Sequence, residues 1–130
     1  MNSFIKYLLT VTLICISSIA NSQEKPTISN QEADKIVNCA VYFLIYSTGL
    51  EKSGGNDSME AAKVFNEASK TLTMLITKLK SDQYVVPRFQ NAMTSLTREM
   101  NGNFKNFESI NTKYHQSCLK QLEYTHPMKQ

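Results

Sequence analysis

Few side chains in this chain of 130 residues have the chemistry of a reactive centre, and most of those are sulfurs and imidazoles. Cys15, Cys39 and Cys118 are its cysteines, and His115 and His126 its histidines. Cys39 and Cys118, about 79 positions apart, offer a disulfide. His115-Gln116-Ser117-Cys118 sets two metal-ligand types one helical turn apart, with Cys39 as a third, but no fourth ligand is marked and a disulfide competes for the same sulfurs. A c-type haem needs Cys-x-x-Cys-His, which the chain lacks. A b-type haem held by Met and His finds no Met in the first helical segment and no pocket signal beside His115. Glu67, Glu99 and Glu108 lack the paired Glu-x-x-His pattern of di-iron bundles and read as solvated helix residues. No local signature supports a Ser-His-Asp arrangement, and His126 falls beside Pro127 in a tail. Gly54-Gly55 precedes a helix without the pattern of a phosphate loop. Asn56-Asp57-Ser58 matches a glycosylation acceptor but coincides with a helix start. The expectation is a protein that is not an enzyme and has no cofactor and no metal.

Whether the cysteines pair depends on compartment. Residues 1–22 have the three parts of a secretion signal: Lys6, an apolar run from Tyr7 to Ile16, then Ser17, Ser18, Ala20 and Ser22. Ala20 and Ser22 favour cleavage before Gln23 over the alternative before Asn21. The apolar run is about ten residues, half of the roughly 20 that span a bilayer, so no stable membrane anchor is expected. Bulky Ile14 before Cys15 argues against a lipidated cysteine. A secreted product meets oxidising conditions, in which thiols pair.

The elements that must position these groups are helices. Only four glycines and three prolines punctuate the chain, which disfavours a many-stranded β fold. Ser29 and Glu32 have capping-box spacing and start a first helix over about 30–50. Its stripe is Ile36, Cys39, Ala40, Phe43, Tyr46 and Leu50, and Gly49 or Gly54-Gly55 ends it. Asp57 and Glu60 repeat the cap pattern for a second helix over about 58–80, with Ala61, Phe65, Ala68, Leu72, Leu75 and Leu79 inward. A third, over about 84–101, begins between Asp82 and Pro87 and buries Val86, Phe89, Met93, Leu96 and Met100. Asn101-Gly102-Asn103 is a turn signal, after which a fourth over about 103–125 carries Phe107, Ile110, Tyr114, Cys118 and Leu122.

Four helices of about 20 residues with short connections predict an all-α, up-down-up-down four-helix bundle in one domain, 23–130. In that topology Cys39 and Cys118 stand about 13 and 9 Å from the same end, near enough to bridge the first and last helices. The formal charge of +3, with scattered lysines, gives no footprint for nucleic acid.

Cys39-Ala40-x-Tyr42 in the first helix and Tyr114-x-x-x-Cys118 in the last resemble the pattern of small exported bacterial helical proteins of uncharacterised function. The resemblance covers most of the mature chain and implies a disulfide-linked, all-α, periplasmic protein. It carries over no activity.

Between Ile36 and Tyr46 only Asn38 is clearly polar. Val41, Tyr42 and Ile45 are apolar off the main stripe, so either the first helix is central or these residues face a partner. The partner would be another protein or a second copy of the chain. The expected function is a non-catalytic protein-interaction module of inhibitor, immunity or chaperone type; the alternative is a carrier holding a small apolar ligand inside the bundle.

Overall fold

The computed structural model describes residues 27–125; the leader and His126 lie outside them. Four α-helices follow one another: α1 (Asn30–Ser53), α2 (Asn56–Leu79), α3 (Asp82–Glu99) and α4 (Phe107–Thr125). A 3-10 turn, Phe104–Asn106, leads into α4, and there is no strand among the described residues.

Local chemistry sets most of the ends. At α1, Ser29 Oγ accepts from the Glu32 N–H at 3.2 Å while Glu32 Oε2 accepts from the Ser29 N–H at 3.0 Å, the reciprocal bonds of a capping box. These bonds from Ser29 hold the Glu32 carboxyl below its usual pKa. α1 runs through Gly49 and stops at Gly54 and Gly55, whose φ of 73° and 95° leave the helical region. The second capping box does not form. Gly55 is itself the N-cap of α2, so Asp57 already lies in the first turn, where its charge complements the helix dipole instead. Asn101, at φ 52°, closes α3: its N–H reaches Arg98 O and the Gly102 N–H reaches Thr97 O, a Schellman pairing that breaks α3 from α4 where the sequence signals it.

Cross-helix contacts fix the directions. Lys80 Nζ at the end of α2 donates to Asn30 Oδ1 at the start of α1, Ser69 Oγ donates to Ala40 O at 2.7 Å midway, and Phe65 meets Tyr46 further along, so α1 and α2 are antiparallel. Arg88 Nε donates to Asp34 Oδ1 at 2.8 Å, joining the early parts of α1 and α3, which run parallel. Cys39 bonds Cys118 and Tyr46 stacks on Phe107, so α4 runs antiparallel to α1. The result is an up-down-up-down bundle whose first and last helices are linked covalently.

α1 is its hub, packed against each of the other three helices. This corrects the expectation for Val41, Tyr42 and Ile45. They are buried within the chain and face no partner, because α2, α3 and α4 surround the middle of α1. Phe43, Leu72, Ile76, Met100 and Ile110 complete the interior; each fully buried side chain of this size contributes roughly 1.5–3 kcal/mol. Two other faces are rotated from the sequence stripes. Ser69 is buried beside Ala40, their small side chains letting α1 and α2 approach closely. α3 turns Val85 and Ala92 inward, leaving Val86 51 % exposed.

Candidate functional site

The disulfide is formed, with Cα atoms 5.2 Å apart. Both sulfurs are thereby consumed, and His115 has no thiolate beside it. Its Nδ1 lies 2.8 Å from the hydroxyl of Tyr42, which in turn donates to Asn111 Oδ1 at 2.7 Å. A phenol has one proton to give. With the phenol proton directed at Asn111, the His115 contact is an Nδ1–H donating to the phenol oxygen. Burial pushes the Tyr42 phenol well above the usual tyrosine range, with Tyr46 and Glu108 adding to the shift. Tyr46 meets His115 edge-on at 5.6 Å and Phe65 lies 6.0 Å away. These contacts make His115 a strut between α1 and α4: its hydrogen bond goes to a phenol and not to a carboxylate or a nucleophilic serine.

The three glutamates stay apart. Glu67 pairs with Lys70, Glu99 takes Lys113 and Tyr114, and Glu108 accepts from Thr112. Among the described residues no three His, Cys, Asp or Glu side chains gather as a metal site.

What the structure adds lies on the other side of α1. Glu99 near the end of α3 accepts from Lys113 Nζ at 3.0 Å and from the Tyr114 hydroxyl at 2.9 Å, which draws α3 and α4 together there. Earlier along α1 a strip of the helix stays open to solvent, marked by exposed Lys35 and Asn38. Asn38 is exposed on that strip, flanked by buried Val37 and Cys39.

Two clefts open on either side of it. One, of about 270 Å³, lies between α1 and α3 and is lined by Asp34, Asn38, Arg88, Asn91, Ala92 and Ser95 as well as Val37. The other, of about 240 Å³, lies between α1 and α4, with Cys39, Cys118 and Tyr114 below and Lys35, Ser117 and Gln121 around it. Asn38 belongs to both, while no residue of α3 lines the α4 cleft and none of α4 lines the α3 cleft. The pair therefore forms one mouth with α1 as its central ridge.

The mouth is rich in hydrogen-bonding groups. Among the described residues the side chains of Asn38, Asn91, Ser95 and Gln121 make no hydrogen bond, and Lys35 makes no ion pair. Arg88 is held in place: its guanidinium stacks 3.6 Å from the centre of the Tyr84 ring, Nε donates to Asp34 and one Nη donates to Tyr84 O. Of the five N–H donors on a guanidinium, three are left over. Tyr84 also donates to Asp34 Oδ1 at 2.8 Å, so that carboxylate oxygen is doubly engaged.

The sequence marked Asn38 only as the polar exception in an apolar run. It gave no sign that Arg88, Asn91, Ser117 and Gln121 would gather around it, since they lie 50 to 83 positions further on. Comparison with protein-family models, with curated proteins and with solved structures returned no match.

Proposed function

We propose that the chain is an exported, non-catalytic interaction module of inhibitor, immunity or chaperone type, and that it engages a protein partner at the mouth between α3 and α4. The observation that carries this reading is the set of unpartnered amide and hydroxyl groups around Asn38. They surround the uncovered strip of a helix that is otherwise buried through its middle. Polar groups on a concave surface with no internal partner are free to bond an incoming chain, and a few such groups are what orient a bound partner. Export rests on the leader pattern at residues 1–22, and the disulfide between α1 and α4 agrees with an oxidising compartment such as the periplasm. No helix among the described residues is long and apolar enough to cross a membrane. The carrier reading has less support. The centre of the bundle, where an apolar cargo would lie, is filled by Tyr42, Phe43, Leu72, Ile76 and Met100.

A photo-crosslinking residue placed at Asn38 or Asn91, in protein expressed in its own host, tests the proposal. The same residue at Lys63, on the outer face of α2, is the control. A discrete protein adduct from the two mouth positions and none from Lys63 is the expected result. No adduct from any position, or the same adducts from all three, would end it.

A further inference from the structure

The two clefts differ in chemistry, and the difference describes the segment that fits them. The α3 cleft holds Arg88, fixed by Tyr84 and Asp34, with unused N–H donors and with Asn91 and Ser95 beside it. The α4 cleft has an apolar floor, the Cys39–Cys118 disulfide and the ring of Tyr114, beneath a rim that includes Lys35 and Gln121. Charges at the mouth are therefore two cations, Lys35 and Arg88, against one carboxylate, Asp34, that Arg88 already engages. Asp34 balances Arg88, so the uncompensated charge is that of Lys35, and an anionic group compensates it where a further cation would not.

The division into two clefts favours a chain over a compact small molecule. Small-molecule sites usually offer roughly 300–1,000 Å³ in one cavity, and here about 270 and 240 Å³ lie on opposite sides of α1. Asn38 is the residue that lines both, so an occupant of both crosses α1 there. An extended peptide does this naturally: side chains two apart point the same way, about 6.6 Å from one another, and the peptide group between them crosses the ridge. A side-chain amide offers an N–H and a C=O in one plane, matching the N–H and C=O of a main chain, and Asn38 stands where that main chain passes.

We infer that the mouth recognises an extended acidic segment of a partner protein. Its carboxylate meets the free N–H groups of Arg88, an aliphatic side chain sits over the disulfide, and the main chain between them bonds Asn38. This rests on the interaction-module reading and narrows it to one ligand chemistry.

The test is a titration of the intact, oxidised protein with a capped pentapeptide, Gly-Glu-Ser-Leu-Gly, followed through the side-chain amide resonances of Asn38, Asn91 and Gln121. Its controls are the Gln-for-Glu peptide and free succinate. The expected result is movement of those three resonances by the acidic peptide, with binding roughly three- to tenfold weaker for the Gln peptide and weaker again at high salt. Lys35→Gln and Asn91→Ala remove no internal bond and should each weaken the acidic peptide, whereas Lys63→Gln on α2 should not. Equal binding of both peptides, equal movement by succinate alone, or no movement would overturn the inference. The crosslink at Asn38 separates the two proposals: a partner adduct that the acidic peptide fails to displace retains the interaction module and rejects the acidic segment.

Discussion

Tyr42 of α1 and His115 of α4 are 73 residues apart in sequence and meet at 2.8 Å through phenol oxygen and Nδ1. The contact lies one turn from the Cys39–Cys118 bridge on both helices, so α4 is held to α1 at neighbouring levels by a covalent bond and by a polar one. Asn111, a further turn along α4, takes the phenol proton, and no buried side-chain nitrogen or oxygen among the described residues is left without a partner.

Removing the Tyr42 hydroxyl strands two half-buried groups at once. Tyr42→Phe should therefore lower stability by about 1–3 kcal/mol, because Asn111 and His115 lose their shared partner while the ring stays packed. Urea unfolding of the oxidised protein measures it, and an unchanged midpoint would show that the network contributes nothing.

The disulfide closes a separation of 79 residues, and in the chain-entropy account a loop of that length is worth roughly 4–5 kcal/mol. Replacing both cysteines with alanine should move the guanidinium midpoint down by a corresponding amount. Because the bridge joins α1 to α4, hydrogen exchange should rise most in α4.

α3 provides a paired test of which face is inward. Leu96→Ala should cost about 2–5 kcal/mol, whereas Val86→Ala, at a position 51 % exposed, should stay within about 0.5 kcal/mol of the parent. Equal losses at the two sites would mean that α3 is rotated toward the stripe its sequence suggests.

Acid should loosen the start of α1. The Glu32 carboxyl, lowered by its bonds from Ser29, is charged in the folded protein at pH values where an unfolded chain would take up a proton. Its stabilising contribution is therefore complete above the usual value of 4.5 and is lost as pH falls through the lowered one. Glu32→Gln should flatten the pH dependence of Tm below about pH 4.5, as followed by circular dichroism, while leaving the neutral amide able to cap.

Much of this architecture is written in local pattern. The capping box at Ser29, the stop at Gly54-Gly55 and the turn at Asn101-Gly102 each depend on side chains within a few residues, and each forms where the sequence signals it. Asp57 and Glu60 show the limit of the same logic: Gly55 caps α2 two residues before Asp57, and the expected box is lost. Helix count, order and the pairing of Cys39 with Cys118 follow from residue spacing and helix length.

Facing was decided in three dimensions. A hydrophobic stripe locates a buried side to within about one residue, or about 100° of helix rotation, and the remaining choice belongs to the neighbours. Small Ala40 and Ser69 draw α2 onto α1, Ala92 brings α3 close and turns Val86 outward, and the three helices together enclose Val41, Tyr42 and Ile45. The mouth around Asn38 exists because side chains of α3 and of α4 line α1 on its two sides and leave Asn38 open between them. That angle arises from contacts among separate helices. By itself the sequence determined how many helices form, in what order, and which sulfurs meet, whereas only tertiary packing decided what α1 hides and what it leaves open.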